Sequence, residues 1–301
     1  MDLTRAEITR IHERIAPHIR RTPVIETEGM VLKLECLQHA GSFKPRGAFA
    51  NLLTRAVPEA GLVAASGGNH GAAVAYAARA LGHKAQIYVP EISSPAKIAL
   101  IQRLGGDVIV GGAEYAEALA ASLAYQDQTG AMTVHAYDAA ETLAGQATLG
   151  RELEDQTPLD TVLVAVGGGG LIGGIAAWYQ GRVKVVAVEP EETCCFDAAR
   201  KAGTPVDVSV GGIAADSLGA RQLGAMAHSI AQTFVAENVL VSEAAIREAQ
   251  LWSWQALNLA VEPGGAVALA ALRAGVYQPA PGERVGVIMC GSNVDLARLA
   301  A

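Results

Sequence analysis

The sequence is poor in aromatic residues, in charge and in cysteine, and each shortage excludes something. Of its 301 residues 5% are aromatic and 18% charged, against 51% hydrophobic. So much apolar side chain excludes a disordered chain and supplies a large core, as one large domain or two subdomains. There is no basic excess: 23 Lys and Arg stand against 30 Asp and Glu, a formal net charge of −7. That argues against a nucleic-acid-binding module, although it does not exclude a local basic patch. The four cysteines, Cys36, Cys194, Cys195 and Cys290, show no CxxC spacing. A disulfide framework and a structural zinc site are therefore unsupported, and a reduced, cytoplasmic chain is expected. The seven histidines include no HExxH pair, so no metal site is expected. Neither a GxxxxGK[ST] P-loop nor a GxSxG elbow occurs. The first residues, Met1, Asp2, Leu3, Thr4 and Arg5, open no apolar run, so no secretory signal is read.

One uncharged run, 161–180, has the length of a membrane helix. Six of its twenty residues are glycine, four of them consecutive. A strand, a turn and a helix explain it better, and no membrane partner is expected.

What the sequence does have is glycine, 33 residues, and a regular alternation of apolar segments. Thr4 and Glu7 form a capping box before Ile8, Ile11 and Ile15 at helical spacing. Short apolar runs predict strands at 31–35, 62–65, 85–89, 107–110, 132–135, 161–166 and 183–188. Helices are predicted between them at 72–81, 95–104, 113–128, 141–155 and 171–180. Alternation of this kind predicts right-handed βαβ units and a parallel sheet. After Pro190 the pattern loosens, and 203–216 reads as loop. Ser242 caps a helix to about Ala260, Glu262-Pro263-Gly264-Gly265 breaks it, and a further helix runs to Arg273. The last strand is 284–289, and no added regulatory domain is expected after it.

Two strand–turn–helix units carry glycines where the chain enters the helix. One is Ser66-Gly67-Gly68-Asn69-His70-Gly71; the other is Gly167-Gly168-Gly169-Gly170, continued by Leu171-Ile172-Gly173. Glycine admits close backbone approach, and helix N-terminal amides attract anions. Each turn is a candidate anion site, or simply a tight turn. Gly168-x-Gly170-x-x-Gly173 also spells a dinucleotide fingerprint, and Glu189 stands where a ribose-binding acid would. That keeps a Rossmann NAD oxidoreductase open, but it leaves Gly41-Ser42-Phe43-Lys44-Pro45-Arg46-Gly47 unexplained. Lys44 sits there in an apolar, glycine-flanked turn. A desolvated amine loses basicity and becomes a nucleophile toward carbonyls; a solvated surface lysine is the plainer reading. Cys290-Gly291-Ser292-Asn293 follows the last strand, where the carboxyl ends of a parallel sheet line a crevice. Cys290 would face that crevice or be a structural core thiol.

Taken together, these segments resemble the fold-type-II pyridoxal-phosphate enzymes, in the serine/threonine dehydratase and serine racemase group. Leu34-Glu35-Cys36-Leu37-Gln38, Ala144-Gly145-Gln146, Glu189-Pro190 and Glu262-Pro263 belong to the same pattern. The set keeps the family's order over nearly the whole chain. The resemblance implies a two-domain open twisted parallel-sheet α/β fold, like that of the tryptophan synthase beta subunit. It implies a large domain of 1–52 with 139–301 and a small domain of 53–138. Lys44 would form the Schiff base with pyridoxal phosphate and Phe43 would pack on the ring. Gly167, Gly168, Gly169, Gly170 and Leu171 would hold the phosphate. Asn69 would bond the phenolic oxygen, Glu262 would line the ring pocket, and Cys290 would face the pyridine nitrogen. Ser66, Gly67, Asn69 and His70 would hold a substrate carboxylate, and Tyr137 would border the substrate. The implied reaction is β-elimination of a small hydroxy amino acid to a 2-oxo acid and ammonia, and the implied assembly a homodimer.

Four departures matter. Gly67 stands where the racemases carry a second serine, so little racemase activity is expected. Cys195 stands where cation-binding members carry Asp opposite Glu189, so a hard cation lacks a ligand. Tyr137 falls where many dehydratases have Phe, which could alter substrate preference. Ser292 replaces a usual Gly.

Overall fold

A computed structural model describes residues 3–300 of the chain. Met1 and Asp2, part of the segment read as non-secretory, lie outside the described residues. Helix α1 (Arg5–Ile15) leads to the hairpin β1 (Val24–Thr27) and β2 (Met30–Lys33), then α2 (Pro45–Thr54). Next come β3 (Leu62–Ala65), α3 (Asn69–Ala80), β4 (Ala85–Val89), α4 (Pro95–Arg103), β5 (Asp107–Val110), α5 (Tyr115–Thr129) and β6 (Met132–Thr133). The chain continues through α6 (Ala140–Glu154), β7 (Thr161–Ala165), α7 (Gly170–Tyr179), β8 (Lys184–Pro190), α8 (Cys195–Ala202) and α9 (Ala215–Leu218). It closes with α10 (Ala225–Phe234), β9 (Val235–Val241), α11 (Glu243–Leu257), α12 (Pro263–Arg273), β10 (Val285–Ile288) and α13 (Leu296–Ala300).

The strands form two sheets. Six lie in the order β1-β2-β10-β7-β8-β9, parallel except for the β1–β2 hairpin. Four lie in the order β5-β4-β3-β6, all parallel. Each sheet has its own hydrophobic cluster. β7 and β10 are buried along their whole length, which is why they read as unbroken apolar runs. No described helix is long and apolar enough to cross a membrane. The run 161–180 is β7, the glycine turn and α7.

Several expectations shift. Only half of the capping box forms: Thr4 accepts from the Glu7 amide at 3.2 Å, while the Glu7 carboxylate pairs with Arg10. β2 ends at Lys33, because Glu35 turns inward in a 3-10 turn to meet Arg46. α3 starts three residues earlier than read, at Asn69. α11 stops at Leu257, where Asn258 adopts φ +53°. Gly264 and Gly265 do not break a helix; they lie inside the first turn of α12. A Cβ at Gly265 would stand 2.2 Å from the Gly291 carbonyl, so glycine there permits a close backbone crossing. The segment 203–216 is mostly irregular, but its end begins α9.

Candidate active site

Lys44 is the residue immediately before α2, not part of a free turn. Pro45 opens that helix at its first position, where a missing N–H costs nothing. The preceding segment is clamped to the turn after β10. Ser42 bridges Gly291, the Phe43 amide donates to the Cys290 carbonyl at 3.1 Å, and the Ser292 amide donates to the Gly41 carbonyl at 2.8 Å. The Ser292 hydroxyl donates to the Cys36 carbonyl at 2.8 Å, which gives the serine at this departure from the family pattern a structural use. Lys44 Nζ donates to the Ala136 carbonyl at 2.8 Å and lies 5.1 Å from the centre of the buried Phe43 ring. Burial lowers its pKa to about 8, against the smaller opposing pull of Cys290 and Glu262. Lys44 is thus a half-buried lysine whose amine bonds inward, not a solvated surface one.

The two glycine turns are both helix N-termini. Gly169 holds φ +91° as the cap of α7, and buried Leu171 follows in the first turn. A Cβ at Gly168 would stand 2.4 Å from the Tyr137 ring, and one at Gly167 would stand 3.0 Å from Leu218 Cα. Gly170 would meet Tyr137 in the same way, at 2.9 Å from its Cα. The first amides of α7 have no intrahelical acceptor, which is the geometry that suits an anion. Gly68 caps α3, and Ser66 Oγ accepts from the Gly68 amide at 3.3 Å. A Cβ at Gly67 would lie 2.5 Å from Ser93 Oγ, so the hydroxyl beside that position belongs to Ser93. The His70 ring does not join the turn. Its Nε2 faces the Val134 carbonyl at 2.8 Å, which fixes Nε2 as the protonated nitrogen. Burial and the nearby Lys44 charge lower its pKa to about 3. His70 thus brings its helix-start amide to the turn, with a neutral ring held elsewhere.

Asn69 donates to Glu262 at 2.6 Å and accepts from Asn293 at 2.7 Å. Burial raises Glu262 to about 7. Cys290 is buried, its thiol contacts the Gly264 carbonyl at 3.3 Å, and burial pushes its pKa up, so it stays protonated.

Sequence reasoning missed α9, which joins these parts. Leu218 backs Gly167, the Asp216 carbonyl lies 3.5 Å from a Cβ built at Gly68, and Ser217 Oγ lies 2.3 Å from one built at Gly264. Asp216 also pairs with Lys97 of α4 at 3.1 Å, across from one sheet unit to the other. A helix of four residues after a glycine pair is too short to show a periodicity. Asp138 was missed as well: its carboxylate accepts from the Ala225 and Met226 amides at 3.0 Å each and caps α10.

The dinucleotide reading loses its acid. Glu189 accepts from the Phe196 amide at 2.7 Å and the Asp197 amide at 2.8 Å, and is fully buried. Both its oxygens serve the start of α8. Cys195, the other half of the altered cation position, contacts the Gly167 carbonyl at 3.2 Å through its thiol.

The residues present fit pyridoxal phosphate: a half-buried amine of lowered pKa, a glycine turn at a helix N-terminus with no room for a Cβ, and a buried neutral thiol. The comparisons agree. The profile of the pyridoxal-phosphate dependent enzymes matches residues 15–291. Phenylserine dehydratase of Ralstonia pickettii is 35% identical over 308 aligned positions, covering 97% of this chain and 94% of that protein. The structure of maize serine racemase superposes with a TM-score of 0.93 at 32% identity, covering 99% of this chain and 95% of that one. The serine racemase of Dictyostelium discoideum gives a TM-score of 0.89 at 30% identity, covering 97% of this chain and 99% of that one.

Proposed function

The chain belongs to the family of pyridoxal-phosphate dependent enzymes, and we propose that within it this protein is an ammonia-lyase for a hydroxy amino acid of the L-threonine and L-serine class. The products are a 2-oxo acid and ammonia. The observation that supports this most is Lys44, half-buried, lowered to about 8 and held at Nζ by Ala136.

Bound pyridoxal phosphate supplies the electron sink for the charge left when the Cα proton departs. The chain's own residues do the rest. Lys44 at pH 7–8 holds a usable neutral fraction, so Nζ can accept the Cα proton as general base. The Ala136 carbonyl aims that amine. The amides that open α3, with Ser66, hold the substrate carboxylate, and the amides that open α7 hold the phosphate. Cys290 stays a neutral thiol and brings no negative charge to its end of the pocket. The absence of a carboxylate there favours prompt loss of the leaving group over transamination. Gly67 has no side chain to deliver a proton to the opposite face, so elimination, not Cα inversion, is the proposed outcome.

A second reading keeps the reaction and enlarges the substrate. It is favoured by the phenylserine dehydratase of R. pickettii, similar over 97% of this chain. A cytoplasmic homodimer, with the Ser66 loop closing over the substrate, completes the proposal and rests on the resemblance. Light scattering of the purified protein tests the dimer.

The functional test is product analysis with L-threonine, L-serine and L-threo-phenylserine. One 2-oxo acid and one ammonia per substrate consumed, with little D-enantiomer formed, is expected. Rapid enantiomer exchange without ammonia would replace the lyase by a racemase.

A further inference from the structure

We infer that the buried ion network of Arg46, Glu35, Glu152 and Lys33 sets the direction of Lys44, which makes Arg46 a positioning residue. The inference rests on the role given to Lys44 under the proposed function.

Arg46 follows Lys44 by two residues, in the first turn of α2, and is fully buried. Its Nε and Nη2 grip the two oxygens of Glu35 at 2.8 and 2.7 Å, a planar two-pronged bond. Nη2 also reaches Glu152 at 3.0 Å, and Nη1 reaches Thr148 at 3.3 Å. Glu152 in turn accepts from Lys33 at 2.5 Å and from the Thr22 amide at 3.0 Å. Lys33 completes its donors on the Thr22 carbonyl and Gln156, each at 2.8 Å. Two cations and two anions cancel, and side-chain exposure of all four is 0–2%.

Stability alone is a weak account of this arrangement. Burying ions costs several kcal/mol each, and well-packed apolar residues in their place are often as stable or more so. A cation in the first turn of a helix also opposes the helix dipole. What a fully bonded network adds is fixed geometry. It ties α2 to the turn after β2 through Glu35, and to α6 through Thr148 and Glu152. The neighbouring Cys36 amide donates to the Met289 carbonyl at 2.7 Å, so the same turn also holds the strand end that precedes Cys290. From the other side α6 presses on the Arg46 backbone: a Cβ at Gly145 would stand 2.4 Å from the Arg46 carbonyl. Arg46 is thus held by side chain and backbone together. Lys44, already helical at φ −57° and ψ −32°, leaves the same turn toward Ala136. The network's charges are not among the causes of the lowered Lys44 pKa. Its action on Lys44 is geometric.

Arg46→Lys tests this, because it keeps the charge and loses the fork. Glu35→Gln is the second variant, should the first fail to fold. Ile246→Ala, a core truncation in α11, serves as the control for lost stability alone. Each holoenzyme is measured for kcat, KM, the pH titration of its visible absorbance, and hydrogen exchange of the peptide spanning residues 42–48. A misplacement of about 1 Å at a reacting group costs about a hundredfold. The expected result is a tenfold to hundredfold fall in kcat with KM nearly unchanged, an altered absorbance titration and faster exchange at 42–48. Ile246→Ala should show none of these. Arg46→Lys and Glu35→Gln proteins with wild-type kcat and absorbance, merely less stable, would overturn the inference. A wild-type protein without visible absorbance would instead remove the functional reading, and the inference with it.

Discussion

Asn69 Nδ2 donates to Glu262 Oε1 at 2.6 Å, joining the first residue of α3 to the residue before α12. The bond runs from the helix of the four-stranded unit to the helix of the six-stranded one. Burial raises Glu262 from 4.5 to about 7. A raised folded pKa means that protonation favours the fold. The contribution is fully present below pH 4.5 and is lost as pH rises through about 7. Glu262→Gln stays neutral and still offers Asn69 an acceptor. The unfolding free energy of wild type, relative to this variant, should fall between pH 4.5 and 7.5, on the order of 3 kcal/mol at most. Glu189, similarly raised, is common to both proteins and cancels. Parallel pH profiles would contradict the account.

With a pKa of about 8, Lys44 is about one-tenth neutral at pH 7, against roughly 0.03% for an ordinary lysine. In the cofactor-free protein, its rate of modification by an amine reagent should rise to half its maximum near pH 8, while surface lysines continue to rise above 10. Lys44→Ala should lower kcat by about 10³-fold or more and leave the fold intact. Peptide-resolved labelling and circular dichroism check the two parts.

The glycine cradle predicts unequal alanine substitutions. Gly168→Ala puts a methyl group 2.4–2.6 Å from three carbons of the Tyr137 ring. Displacing the ring should cost about 1–3 kcal/mol and weaken cofactor binding roughly tenfold to a hundredfold. Gly111→Ala meets nothing within 4 Å and should leave both stability and binding unchanged. Adding Tyr137→Ala to Gly168→Ala should recover part of the loss. Fluorescence titration with pyridoxal phosphate measures all three.

Asp138 caps α10 through two backbone amides. Asp138→Ala should cost about 1 kcal/mol of stability, as loss of a helix cap does, and Asp138→Asn should cost less. Denaturant unfolding at fixed pH distinguishes them. Equal stability of all three proteins would show that the cap contributes nothing.

The strands Leu62–Ala65, Ala85–Val89 and Asp107–Val110 were legible because short apolar runs stood between clear turn residues. Helix α2 was not, because eight of its ten residues are buried and no polar face marks a period. Edge strand β9 mixes buried and half-exposed positions, so its alternation is blurred. Both glycine turns and Cys290 were legible as strand ends, Lys44 through its apolar, glycine-flanked segment, and Glu262 only through the family resemblance. The resemblance places His70 with the substrate carboxylate; the pairing of its ring with Val134 spans 64 residues and leaves no local trace. The same holds for Lys97 with Asp216 and for the Arg46 network, whose partners meet only in the fold.

The central claim is that Lys44 carries the cofactor and the chemistry. Borohydride reduction of the purified holoenzyme, followed by mass mapping of its peptides, tests that claim most directly. The account predicts loss of the visible absorbance and a pyridoxyl adduct on Lys44 alone. An adduct on another lysine, or no adduct after loading with pyridoxal phosphate, would contradict it.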